Sequence, residues 1–93
     1  MADQAGYNTL EFTPSFLESL SSRRFTAADQ AAVLRALRLL DTNDRHPSLR
    51  VHELQGRQRS VWSASASRSL RLHFLRMEDG RKRLLLVTKL YTD

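Results

Sequence analysis

The apolar residues of this chain change period once. Between Thr13 and about Asp41 they recur every three or four positions, and from Leu49 onward they recur every second position. The first spacing belongs to helices packed on one face, the second to strands with one face buried. A chain of 93 residues has room for one core, so the helices must cover the sheet that follows them. The alternation is sharpest in two segments. Trp62, Ala64 and Ala66 alternate with Ser63, Ser65 and Ser67, and Leu70, Leu72 and Phe74 alternate with Arg71, His73 and Leu75. One sheet face is therefore apolar and the other polar, an arrangement that antiparallel sheets permit.

Local signals place the elements. Tyr7 to Thr13 reads as a first strand. Thr13-Pro14 starts a short helix, with Thr as N-cap and Pro where its missing N–H costs nothing. Thr26, with Asp29 three residues on, starts a second helix that runs to about Asp41 and carries a stripe of Val33, Ala36, Leu37 and Leu40. Arg35 and Arg38 lie off that stripe, on what reads as a solvated face. Four strands follow at about 49–54, 61–67, 70–77 and 82–90. The expectation is a single α+β domain over residues 1–93: a strand, a two-helix hairpin, then a four-stranded antiparallel meander with the helices packed on one sheet face.

The last hairpin decides which side chains meet. Asp79-Gly80 is a strong turn signal. A three-residue loop, Glu78-Asp79-Gly80, sets Arg71 opposite Val87 and puts Arg71, Lys89 and Tyr91 on one face. It also aligns Leu84, Leu86, Thr88 and Leu90 with the core. This register is the one expected here; a two-residue loop sets Arg71 opposite Thr88 instead.

Charge is unevenly spread. Residues 1–44 carry four Arg against six Asp and Glu, net −2; residues 45–93 carry nine Arg and two Lys against four, net +7. Eleven basic residues thus belong to the half that holds the meander, whose polar face is open. Arg grips phosphate through paired hydrogen bonds where Lys acts as a point charge. Arg50, Arg57, Arg59, Arg68, Arg71 and Lys89, with Tyr91 at the edge, form a candidate footprint for a nucleic-acid backbone. His46, His52 and His73 can each serve as an acid or base. The chain has no Cys and no HxxxH spacing, which speaks against a structural metal site. No GxSxG, P-loop or HExxH pattern is present. No apolar run approaches the roughly 20 residues of a membrane span, and MADQAGYNTLEF lacks the regions of a secretory signal. A cytoplasmic domain is expected.

The run HPSLRVHELQG, then VWSASASRSLRLHFLR, a turn, LLLV and a closing Tyr resembles the RelE/ParE superfamily of bacterial type II toxins, in particular its YoeB-like and RelE-like mRNA interferases. The resemblance spans about residues 7–93. It implies a ribosome-dependent endoribonuclease in which a ribose 2′-OH attacks the adjacent phosphate, with no metal or small-molecule cofactor. The implied partners are a cognate acidic antitoxin, the ribosome and mRNA. Arg71 matches the family's transition-state Arg and Tyr91 its C-terminal Tyr. Lys89 occupies the basic neighbourhood, and Asp44 or His46 lies where a general base is expected. Arg50, Arg57, Arg59, Arg68 and His73 are the expected RNA contacts. One position departs: YoeB-like members carry His directly before the terminal Tyr, and this chain has Leu90. A catalytically impaired RNA- or antitoxin-binding homologue and a ParE-like inhibitor of DNA gyrase share the same fold and stand as alternatives.

Overall fold

The computed structural model describes residues 6–56 and 59–90. In chain order they form β1 (Leu10–Phe12), α1 (Pro14–Leu20), α2 (Ala27–Thr42), a 3-10 helix (Pro47–Leu49), β2 (His52–Glu53), β3 (Trp62–Ser65), β4 (Leu70–Arg76) and β5 (Lys82–Lys89). The sheet order is β1-β5-β4-β3-β2. β1 runs parallel to β5, and the other pairs are antiparallel. This is the expected α+β arrangement, with β1 added beside β5. No helix among the described residues is long and apolar enough to cross a membrane.

The helices start where side chains can take up their unpaired N–H groups. Thr13 Oγ1 accepts from the Phe16 amide at 3.1 Å. Thr26 Oγ1 accepts from the Asp29 amide and the Asp29 carboxylate from the Thr26 amide, both at 3.0 Å, a complete capping box. Val33, Ala36, Leu37 and Leu40 of α2 then meet Ala64, Leu70, Leu72 and Phe74 in one buried core that also takes in Phe16, Leu49 and Leu84. Alternation along β4 is strict: Leu70, Leu72 and Phe74 are buried, and Arg71, His73 and Leu75 are only partly so.

Residues 49–54 do not form the expected continuous strand. Pro47 opens a 3-10 turn, and the ring of His46 caps it by accepting from the Ser48 amide at 3.2 Å. The turn drops Leu49 into the core and ends at Arg50, whose φ of 47° is left-handed. β2 is thereby cut to two residues.

The final hairpin has the expected three-residue loop, with Gly80 left-handed at φ 90°. Met77 donates to the Arg81 carbonyl at 2.8 Å, and Arg76 pairs with Lys82, Leu75 with Arg83 and Phe74 with Leu84. The register then shifts. His73 pairs with Leu86, so Leu85 is an extra residue in β5, and Arg71 pairs with Thr88 rather than Val87. This bulge reverses the side to which the rest of β5 points. Val87 enters the core, while Leu86 and Thr88 lie beside His73 and Arg71 and Leu90 is 46% exposed. Lys89 pairs with Leu70 on the helix face, so it does not share a face with Arg71.

The bulge has a cause outside the hairpin. The Leu84 carbonyl accepts from the Thr13 amide at 3.2 Å and from Thr13 Oγ1 at 2.8 Å. Ser15 Oγ donates to the Leu85 carbonyl at 2.8 Å, and Ser19 Oγ accepts from the Val87 amide at 3.0 Å. α1 and its N-cap thus satisfy the backbone groups that the bulge and the free edge of β5 would otherwise leave unpaired.

A second tie joins β1 to the end of α2. Asp41 Oδ1 accepts from the amides of Asn8 at 3.0 Å and Thr9 at 2.6 Å and from Thr9 Oγ1 at 2.7 Å. Burial pushes the Asp41 carboxyl up, but these bonds and nearby Lys82 outweigh it and hold it below its ordinary 3.8.

Two expectations follow. Thr13→Ala removes a helix cap and a bulge contact together and lowers stability by about 1–2 kcal/mol, with Thr13→Ser recovering most of it, as read from urea midpoints. A carboxylate with a depressed folded pKa stabilises the fold above its unfolded pKa and loses that contribution as pH falls through the folded value. The gap in urea midpoint between the native chain and Asp41→Asn is therefore full at pH 7 and closes as pH drops below about 4.

Candidate functional site

At one end of the sheet, α2, the 3-10 helix and the β3–β4 link enclose a cleft of about 680 Å³. Four of its lining side chains are arginines: Arg35 from α2, Arg50 from the end of the 3-10 helix, Arg68 from the link and Arg71 from β4. Ser48, Ser65 and Ser67 stand between them, and Ala36, Leu39, Leu49 and Ala66 line it with apolar surface. Among the described residues, no acidic side chain lines it.

Ion pairing elsewhere explains why these four remain available. Asp44 takes Arg76 at 2.8 Å, Asp29 takes Lys89 at 2.6 Å, and Glu11 takes Arg83 at 3.0 Å and Arg81 at 3.5 Å. None of Arg35, Arg50, Arg68 and Arg71 has a carboxylate partner among the described residues. Like charges crowded beside low-dielectric walls favour an anionic occupant.

Local structure positions each one. Arg71 Nη1 donates to the carbonyls of Ser67 at 2.8 Å and Leu70 at 3.0 Å, which holds the guanidinium against the link. Both bonds use Nη1, so Nε–H and Nη2–H₂ make none among the described residues. Arg50 is held in its left-handed conformation while its carbonyl accepts from His52 Nδ1 at 2.9 Å. A carbonyl only accepts, so Nδ1 carries the proton and the neutral ring presents a lone pair at Nε2. His46 is the opposite case. Its Nδ1 accepts from the Ser48 amide, so its neutral ring carries the proton on Nε2.

Strand pairing fixes what shares the open face. His52 pairs with Ser63, Ser63 with His73, and Ser65 with Arg71. His52, Ser63, Ser65, Arg71 and His73 therefore lie on one face, and His73 Nε2 is 3.2 Å from Thr88 Oγ1.

This arrangement of strands and helices recurs in solved structures. The DinJ–YafQ toxin–antitoxin complex from Escherichia coli matches at 18% identity and TM-score 0.67, covering 86% of this chain and 89% of that one. The archaeal RelE–RelB complex from Pyrococcus horikoshii matches at 13% and 0.66, covering 87% and 92%. The toxin–antitoxin complex RelBE2 from Mycobacterium tuberculosis matches at 20% and 0.64, covering 89% and 98%. The chain has the RelE-like fold. No protein-family model matches the sequence, and no curated protein is similar to it in sequence.

Within this RelE-like fold the expected site residues separate. Arg50, Arg68 and Arg71 converge in the cleft, and His73 lies on the same sheet face as Arg71. Arg59 is exposed and does not line the cleft. Arg57 and Tyr91 lie outside the described residues. Asp44 is committed to Arg76, which stacks over Trp62 at 4.5 Å, and that ion pair holds its carboxyl below the ordinary value. Lys89 donates to Asp29 and to the Arg24 carbonyl, fastening the α1–α2 loop to the sheet. Two residues enter that the sequence did not single out. Arg35 read as solvated, and no pattern in α2 distinguishes it from Arg38. His52 read as one of three equivalent histidines, and only its bond to Arg50 sets it apart.

The placement of Lys89 makes a direct test. Lys89→Met lowers the urea midpoint, because Asp29 loses its partner.

Proposed function

We propose that this protein is the toxin of a type II toxin–antitoxin pair and cleaves mRNA on the ribosome. One observation carries the reading: four arginines without carboxylate partners meet in a single cleft of a RelE-like fold. The solved DinJ–YafQ and RelBE2 structures of that fold are toxin–antitoxin complexes, and a cognate acidic antitoxin is the proposed partner here.

The chemistry needs three groups. A base takes the proton of a ribose 2′-OH as its oxygen attacks the adjacent phosphorus. A cation stabilises the charge growing on the phosphate oxygens. An acid protonates the 5′ oxygen as its bond to phosphorus breaks, leaving a cyclic phosphate and a free 5′-OH. Arg71 is the cation, with Nε–H and Nη2–H₂ available for phosphate oxygens. His52 suits the base, because its bond to the Arg50 carbonyl keeps the lone pair on Nε2. The acid is assigned to Tyr91, or to His46 through Nε2–H. Leu90 carries no proton, so the His that YoeB-like members hold there is replaced by groups elsewhere. Asp44 and Lys89 take no part, because each is already held in an ion pair.

A second reading has its own observation. Leu17 and Leu34 are 55% and 51% exposed, and with Leu20 they line an apolar groove of about 310 Å³ between α1 and α2. A ParE-like toxin acting on DNA gyrase would dock its target through such a surface.

Coupled in vitro translation with mapping of mRNA ends separates the two. The native chain cuts mRNA, and Arg71→Ala slows cutting by about 10²–10³-fold. Intact mRNA together with inhibited DNA supercoiling would reject the nuclease in favour of the gyrase reading.

A further inference from the structure

The cleft has two walls. Arg68 and Arg71 stand on the sheet side, and Arg35 and Arg50 on the side built by α2 and the 3-10 helix. The proposed reaction needs a cation at only one phosphate, and Arg71 supplies it. A volume of about 680 Å³ is that of a pocket for a whole small ligand rather than a lone anion. The far wall therefore has a task of its own.

Two details show that its arginines are placed for their side chains. Arg35 and Arg38 are both exposed residues of α2, one turn apart, yet only Arg35 lines the cleft. Arg50 is the one non-glycine residue with positive φ among the described residues. Backbone geometry alone would be met more easily by Gly, so strain is accepted there to keep a guanidinium at the cleft.

We propose that Arg35 and Arg50 form a subsite for the phosphate that flanks the scissile one in single-stranded RNA. The ribose and base between the two phosphates rest on Leu39 and Ala66, the partly exposed apolar residues of the lining. The three serine hydroxyls offer further donors to phosphate oxygens. An acidic protein segment is the competing occupant. It would use the positive charge but gain nothing from the apolar surface of Leu39 and Ala66 beside the arginines. The inference rests on the RNA-directed reading above.

The test is fluorescence anisotropy of a short labelled oligouridine over a range of salt concentrations. Both variants are built to fold: Ala suits an exposed helical position, and Arg50→Gly relieves the left-handed strain. Arg35→Ala and Arg50→Gly are each expected to weaken binding roughly tenfold at low salt. Each should also flatten the dependence of log affinity on log salt by about 0.7. Arg38→Ala leaves both quantities unchanged. Circular dichroism melts show Arg50→Gly at least as stable as the native chain.

Equal losses from Arg35→Ala and Arg38→Ala would mean unfocused attraction and overturn the subsite. Unchanged oligouridine binding with weakened binding of polyglutamate would assign the wall to an acidic protein and overturn it also. The parent reading fails separately. If the native chain binds RNA through Arg35 and Arg50 but never cuts mRNA, the subsite stands and the nuclease falls. If it cuts and both variants keep the native KM and salt slope, the nuclease stands and the subsite falls.

Discussion

Thr13 holds two parts of the molecule in register. Its hydroxyl caps α1 and also donates to the Leu84 carbonyl, beside the extra residue of β5. A bulge disrupts the ladder locally and leaves backbone groups unpaired, and buried groups without partners cost about 1–3 kcal/mol each. Thr13, Ser15 and Ser19 remove that cost along the one stretch of β5 edge that β1 does not cover. Because the bulge is supported, Val87 completes the core and Lys89 is delivered to the helix side. Thr88 comes to lie beside Arg71 and His73. The composition of the open face therefore traces back to contacts made by the first helix.

The site depends on where the acids go as much as on where the arginines are. Asp29, Asp44 and Glu11 each neutralise cations on the helix side or at the edges of the sheet. Asp41 instead takes the amides that open β1. The cleft is what remains: positive charge backed by serines and a small apolar strip. Exposed ion pairs contribute little to stability individually, so their larger effect here is to concentrate the uncompensated charge in one place. The net +5 of the chain is thus a poor description of its surface, because the excess is focused.

Much of this was legible in advance. Both N-caps, the helix stripe, the alternation in β3 and β4 and the three-residue turn at Gly80 are local features, and local features can be read from spacing. The register of β5 was read correctly at the turn and wrongly beyond it. Nothing in the residues from Leu84 to Leu86 marks one of them as extra; the insertion is stabilised by hydroxyls some seventy residues away in sequence. The same limit applies to the site. Arg50, Arg68 and Arg71 sit on the meander and could be grouped by position. Arg35 could not, because its separation from Arg38 depends on how α2 rotates against the end of the sheet.

By itself the sequence determined the elements, the single core, the polar second face and the excess of arginine in the later half. These follow from periodicity and composition, which act over a few residues. Only the tertiary structure decided which cations are paired and which are left to face a ligand, and which histidine is held with its lone pair at Nε2. The ion pairs belong to contacts between distant segments, whereas His52 is set by the left-handed turn at Arg50 two residues before it, and a single extra residue in β5 reverses the side on which each following side chain falls.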